Sequence, residues 1–199
     1  MDVANYDDMK RFLDDAEEFG NGKLDIVVNA AGIVDTDSFM GLKVDQFKKL
    51  LDVNVIGVSN AAQVAIEKMK PHNDGKIVIV ASIAGREGLE ILSHYCATKA
   101  AAISLTQSAA KVAAHNNINV NAIAPGIIRT KMWEEILDGV APEGADRDEV
   151  FDGFIESMIP LNRPQTEQDI ANTVLFLCSD LASEITGQTI NIDGRAVMS

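Results

Sequence analysis

The 199-residue sequence predicts an α/β fold, with a parallel sheet covered by helices on both faces in a doubly wound arrangement. Short apolar segments, typical of strands buried on both sides, alternate with longer stretches of helical periodicity. The apolar segments end in small or polar residues. In sheets of this kind, ligands bind beyond the carboxyl ends of the strands. We therefore expect one domain over residues 1–199, with a site at that edge of the sheet.

The element boundaries follow from the two periodicities and from the residues that interrupt them. Gly20 ends the first helix, Pro71 ends the second, and Thr166 is a plausible N-cap of the last one. In chain order, we predict helix 6–19, strand 24–29, helix 43–70, strand 76–82, helix 94–115, strand 118–126, short helices around 132–138 and 148–157, helix 166–179 and strand 186–194.

Composition excludes several classes of protein. The net charge is −13 and no basic run could follow a phosphate backbone, so we expect no nucleic-acid partner. No apolar run reaches the roughly 20 residues that span a bilayer, and the acidic N-terminus does not resemble a signal peptide. Cys96 and Cys178 lack metal-ligand spacing. We therefore expect a cytoplasmic protein with no membrane partner and no metal.

Ser82, Tyr95 and Lys99 form the most informative pattern in the sequence. Tyr95 and Lys99 are four residues apart in a predicted helix, so they lie on one face, one turn apart. An ammonium near a phenol favours the phenolate, and we expect it to lower the Tyr95 pKa from about 10. Such a phenol can exchange a proton with a carbonyl or alcohol oxygen, and the Ser82 hydroxyl, after a buried strand, can hold that oxygen.

Two other interpretations of these residues are weaker. A tyrosine packed beside a solvated lysine would leave the same YxxxK spacing, although Ser82 and the buried strand before it make that less plausible. Ser82 as the nucleophile of a hydrolase is also disfavoured, because the sequence has no GxSxG elbow and no motif that pairs a histidine with Ser82.

The chain resembles the short-chain dehydrogenase/reductase family along its whole length. The motifs occur in the family's order and spacing, and together they are highly specific. They are NAAG at 29–32, Asn54 within LLDVNVIGV, Ser82, YCATK at 95–99, PGIIRT at 125–130 and ITGQTINIDG at 185–194.

The resemblance implies a role for each matching residue. It assigns Tyr95 as the catalytic acid/base, Lys99 as the residue that lowers its pKa and holds the nicotinamide ribose, Ser82 as the group that orients the substrate oxygen, and Asn54 as the holder of a relay water. The cofactor would be NAD or NADP. The residues implied to contact it, besides Tyr95 and Lys99, are Asp2 at adenine, Asn29, Ala30, Ala31 and Gly32 at the adenosine ribose, and Pro125, Gly126, Ile128 and Thr130 at the nicotinamide.

One part of the family pattern is missing. The sequence contains no TGxxxGxG loop for the pyrophosphate, and the two β–α units of about 30 residues each that open the family's Rossmann-like sheet are absent. We therefore expect strands four to seven with their helices, and an open edge at strand 24–29. Two interpretations remain: an enzyme, which we expect to be a homodimer or homotetramer, or a truncated, catalytically silent member of the family.

The substrate is less well defined by the sequence. Residues 131–159 are irregular and are expected to form a substrate lid, with Trp133 and Met132 as an apolar cover. The segment RTKMWEEILDG resembles acetoin, butanediol and polyol dehydrogenases of the family, which implies a small hydroxyketone, diol or polyol. A 3-oxoacyl thioester is the second choice, since the chain shows no basic patch for a carrier protein.

Overall fold

The computed structural model describes residues 1–37 and 39–198. Four parallel strands in these ranges form one sheet, in the same order in space as along the chain. They are β1 (Ile26–Asn29), β2 (Gly75–Val80), β3 (Ile118–Pro125) and β4 (Thr189–Ile192). The predicted α/β class and the predicted strands are confirmed.

The helices of the described part also follow the prediction. They are α1 (Tyr6–Phe19), α2 (Val44–Leu51), α3 (Gly57–Met69), α4 (Ser93–Ala113), α5 (Lys131–Val140), α6 (Arg147–Met158) and α7 (Glu167–Leu177). Thr166 caps α7 as the sequence predicts and forms a capping box with Asp169, and at α1 the Asn5 side chain accepts from the Asp8 amide. None of these helices is both long and apolar enough to cross a bilayer.

The helix predicted over 43–70 is not continuous. A π-helical turn at Asp52–Ile56 separates α2 from α3 and has the buried Asn54 at its centre. Asparagine is a poor helix former, and a π-turn inside a helix is frequently found at a functional site. The π-helical turn therefore marks Asn54 as a candidate functional residue in the middle of the helix.

Helices cover both faces of the sheet. On one face, α1, α3 and α4 pack against β1, β2 and β3 in a cluster that includes Leu13, Ala65, Ile77 and Val120. On the other face, Leu177 of α7 packs with Val78 and Ile123 in a smaller cluster. This second layer ends before β1, where Val28, the register partner of Val78, is 44% exposed.

The outer edge of β1 pairs with no other strand of residues 1–37 and 39–198. Ile26 and Val28, on the face not covered by α7, are 47% and 44% exposed. The open edge expected from the sequence is therefore present. Such an edge, apolar and unpaired, can pair with another strand.

Candidate active site

The carboxyl ends of β2 and β3 open into a cavity of about 340 Å³, which also borders the segment after β1. It is lined by Ser82 and its neighbours after β2, by Tyr95 and Lys99 of α4, and by residues of α5 and α6. The three residues that form the most informative pattern in the sequence thus line the same cavity.

Tyr95 and Lys99 are held inside by α4, and they are only 7% and 5% exposed. The Lys99 ammonium lies 5.6 Å from the centroid of the Tyr95 ring and donates to the Val80 carbonyl oxygen, 2.9 Å away. The Tyr95 hydroxyl donates to the Met132 sulfur at 3.9 Å and is hydrogen-bonded with Ser82. The phenol and the serine hydroxyl therefore face the same point in the cavity.

Burial sets the protonation of both groups. It raises the pKa of Tyr95 to about 12, and the hydrogen bond with Ser82 opposes that shift only in part. Burial also lowers the pKa of Lys99 to about 8. The expectation of a lowered Tyr95 pKa is therefore wrong for the protein by itself, because burial disfavours the phenolate more strongly than the hydrogen bond with Ser82 favours it.

We predict that the parent chain gains stability relative to the Lys99→Met variant as the pH rises from 8 to 10.5. Below pH 8, Lys99 is charged in both the folded and unfolded chains, so the folded state carries the full cost of burying it. Above the folded pKa of about 8, the unfolded chain binds more protons than the folded chain, and stability therefore rises with pH.

Urea denaturation of both proteins across this pH range measures the effect. We expect the difference in free energy of unfolding to change by up to about 3 kcal/mol in favour of the parent chain. Lys111→Met, at an exposed position of the same helix, is the control and should show no comparable change. A Lys99→Met difference that is independent of pH would mean that Lys99 stays charged in the folded chain.

Asn54 links the segment after β1 to α4. Its side-chain oxygen accepts from the Ile33 amide, and its amide group donates to the Ile33 carbonyl, both at 2.9 Å, and to the Thr98 hydroxyl at 3.1 Å. A Cβ at Gly32 would lie 3.3 Å from the Lys99 ammonium and 3.5 Å from the Asn54 side-chain oxygen. Glycine at 32 thus allows these two polar groups to approach the backbone closely.

The residues expected to hold the nicotinamide cofactor fall into two groups. Those that line the cavity are Ala30, Gly32, Pro125, Gly126, Ile128 and Thr130. Asn29 and Ala31 lie just behind them. The Asn29 side-chain oxygen accepts from the Ala31 amide at 3.1 Å, while its buried amide group has no partner among the described residues. An unpaired donor at the end of β1 fits a polar ligand there.

Asp2 does not belong to this constellation. It is exposed, and its carboxylate accepts from the Ala4 amide at 3.0 Å in the turn that leads into α1. Its backbone amide donates to the Asp8 carboxylate, also at 3.0 Å. Asp2 does not line the cavity. These hydrogen bonds hold Asp2 in the turn before α1, and its contact with adenine stays a prediction.

Gln165 is a site residue that sequence reasoning missed. Its backbone amide donates to the Ile127 carbonyl at 2.9 Å, and its side chain is 8% exposed. A Cβ at Gly126 would overlap the Gln165 side chain and the Asp193 backbone. Gln165 thus fixes the loop after β3 from outside the cavity. No motif around Gln165 indicates this contact, which depends on tertiary packing.

The lid segment 131–159 consists of α5 and α6 and the turn between them. Trp133 of α5 lines the cavity, as the sequence predicts, and makes edge-to-face contacts with Phe151 and Phe154 of α6, with ring centroids 5.7 and 5.6 Å apart. Aromatic pairs in this geometry stabilise their contact beyond the burial of area. They fix the position of Trp133 at the cavity wall.

An ionic clasp, formed by Arg129, Arg147, Glu134 and Asp148, joins both lid helices to the loop after β3. Arg129 pairs with Glu134 of α5 at 2.5 Å and with Asp148 of α6 at 2.8 Å, and it lies 4.6 Å from the Phe151 ring. Arg147 also pairs with Glu134, at 2.9 Å. Isolated surface ion pairs contribute little to the stability of a protein. A network in which the charges share partners, with a cation–π contact, stabilises the packing of the lid more strongly.

We predict that Arg129→Gln loosens the lid around Trp133. The variant removes both ion pairs and the contact with Phe151, and so removes the contacts that join Arg129 to both lid helices. Trp133 fluorescence should then be more easily quenched by acrylamide. Arg11→Gln, which removes an exposed ion pair on α1, is the matched control. Equal quenching in both variants would show that the clasp does not position Trp133.

Comparisons with known proteins find similar proteins over nearly the whole chain. A family model described as Enoyl-(Acyl carrier protein) reductase matches residues 1–194. A 3-oxoacyl-[acyl-carrier-protein] reductase FabG of Staphylococcus aureus is 37% identical over 197 residues, which are 98% of this chain and 75% of the relative. A diacetyl reductase [(S)-acetoin forming] of Staphylococcus epidermidis is 40% identical over 179 residues, which are 88% of this chain and 69% of the relative.

Solved structures give the same result for the fold. The NAD+-bound xylitol dehydrogenase superposes with a TM-score of 0.90 at 32% identity, covering 97% of this chain and 76% of the other. ElxO with NADP bound superposes with a TM-score of 0.85 at 30% identity, covering 98% of this chain and 75% of the other.

Proposed function

This chain belongs to the short-chain dehydrogenase/reductase family, and on that basis we propose that it transfers a hydride between a nicotinamide cofactor and a carbonyl/alcohol pair, with Tyr95 as the acid/base. The observation that carries the proposal is the convergence of the Tyr95 phenol and the Ser82 hydroxyl in one buried cavity, next to the Lys99 ammonium.

The protein's own residues bind the substrate oxygen and move its proton. The Ser82 hydroxyl and the Tyr95 phenol both contact the carbonyl oxygen, and together they orient and polarise it. Since burial raises the Tyr95 pKa to about 12, the phenol is protonated at neutral pH and can donate to that oxygen during reduction. In this proposal Asn54 holds a water that connects Lys99 with solvent.

NAD or NADP, when bound, supplies or accepts the hydride. The residues present fit such a cofactor, with Asn29 and Gly32 on the side of the adenosine ribose and the loop after β3 on the side of the nicotinamide. Gly32 allows the backbone to approach Lys99 closely, Asn29 offers an unpaired buried donor, and Pro125, Gly126, Ile128 and Thr130 line the cavity. Lys99, whose Nζ already donates to Val80, would hold ribose hydroxyls with its remaining protons.

The sequence supports a small hydroxyketone, diol or polyol as substrate, and the likeness to a diacetyl reductase favours the first of these. A 3-oxoacyl thioester is the second candidate, favoured by the likeness to FabG proteins. The net charge of −13 opposes binding of an acidic carrier. Assembly as a homodimer or homotetramer and a cytoplasmic location stay predictions.

Transfer of a deuterium label tests the proposed reaction. The chain is incubated with NADH or NADPH deuterated at the nicotinamide C4 and with butane-2,3-dione or acetoacetyl thioester, and the alcohol product is analysed by mass spectrometry. Deuterium on the former carbonyl carbon supports hydride transfer. No labelled product with either nucleotide and either ketone would support the alternative, a catalytically silent member of the family.

A further inference from the structure

The side of the cavity formed by the lid is apolar. The lid contributes Trp133, Ile136, Phe154 and Met158, and Leu92, just before α4, adds an apolar side chain beside Tyr95. Ile136 and Leu92 are only 5% and 7% exposed, so they are fixed parts of the wall. A substrate seated between Tyr95 and the lid therefore has hydrocarbon on most sides.

Polar groups that could bind additional substrate hydroxyls are few. Besides Ser82, Tyr95 and Lys99, the described lining side chains with polar atoms are Thr130, Glu90 and Trp133, whose indole N–H can only donate. Glu90 is exposed, so it lies at the rim of the cavity, where its charge disfavours anionic ligands. Ser82 and Tyr95 are needed for the reacting oxygen. Thr130 is then the remaining uncharged side chain that can both donate and accept a hydrogen bond. One such side chain is too few for the several hydroxyls of a polyol.

We propose that the substrate is an uncharged ketone, or the matching secondary alcohol, with apolar substituents and at most one further hydroxyl. The inference rests on the proposed function for the reacting carbonyl, but the preference itself is a property of the cavity. It narrows the hydroxyketone, diol and polyol class expected from the sequence, because polyols would bury hydroxyls without partners.

Two series of ketones separate the effects of carbon and oxygen. The first series extends an aliphatic chain from butan-2-one through hexan-2-one to octan-2-one. The second adds hydroxyls to butan-2-one, giving 3-hydroxybutan-2-one and then 1,3,4-trihydroxybutan-2-one. Affinity is measured by quenching of Trp133, which is the single tryptophan of the chain and lines the cavity. Binding is therefore measured independently of turnover.

The expected result is a rise in affinity of about fourfold for each added methylene. The trihydroxy ketone should bind at least about tenfold more weakly than butan-2-one, because two of its hydroxyls lack partners. Preferential binding without turnover would support this inference and contradict the proposed reaction. Tighter binding of the trihydroxy ketone, or no binding by any member of either series, would overturn the inference.

A substitution at Met158 tests whether the lid produces the preference. Met158→Gln replaces an apolar wall residue by a polar one of similar length, and it should reduce the gain per methylene to about twofold or less. Met158→Leu keeps the wall apolar and should keep the gain at about fourfold. If the glutamine variant retained the full gain, the apolar lid would not select the substrate.

Discussion

Replacing Tyr95 by Phe should lower kcat/KM for ketone reduction by about 10³-fold, while the Kd for nicotinamide nucleotide changes only a few-fold. The variant removes the phenolic oxygen that faces the substrate and keeps the ring, which is 7% exposed and packs with Leu92 and Cys96. Loss of the proton donor slows the reaction without removing a contact that holds the fold together.

Tyr6→Phe is the matched control. Tyr6 is the other tyrosine of the chain, and its hydroxyl donates to the Glu67 carboxylate at the surface, 3.3 Å away. The control should retain parental kcat/KM, as measured by nucleotide oxidation. If Tyr95→Phe kept more than about a tenth of the parental kcat/KM, another group would supply the proton and the assignment of Tyr95 would be incorrect.

Replacing Ser82 by Ala should lower kcat/KM by about 10²-fold through loss of a hydrogen bond to the developing charge on the substrate oxygen. Ser82 has a structural role as well, because its side chain accepts from the Ala84 amide at 3.1 Å and caps the short helical turn that follows. Thermal denaturation must therefore accompany the kinetics.

Ser82→Thr distinguishes the two roles of the hydroxyl. Threonine keeps the hydroxyl for the cap and for the substrate, so this variant should recover a large part of the activity. If Ser82→Ala were stable and kept the parental kcat/KM, the hydroxyl would have no direct role in catalysis.

The elements of the fold were predictable because each depends on local pattern. Apolar residues at helical spacing predicted α1 over its full length, and β2 and β3 were recognisable as continuous apolar runs. The break at Asn54 interrupts a helix that the sequence predicts over residues 43–70. Its form depends on hydrogen bonds to Ile33 and Thr98, which are 21 and 44 residues away in the chain.

The residues of the candidate site were predictable where they belong to a sequence motif. They were less predictable where their position or pKa depends on tertiary packing. Ser82, Tyr95 and Lys99 lie together because each is at a strand end or on the helix that follows. The direction of the Tyr95 pKa shift was wrong because it depends on burial, to which the loop and lid around Met132 contribute. Gln165 was missed because its contact with the loop after β3 joins distant parts of the chain.

The measurement that most directly tests the account is a titration of the purified chain with NADH and NADPH. Nucleotide fluorescence and quenching of Trp133, which lines the cavity, are followed together. We expect saturable binding of one nucleotide at micromolar concentration, with Trp133 quenched in proportion. Absence of binding at millimolar concentrations of both nucleotides would contradict the proposal that this cavity holds a nicotinamide cofactor.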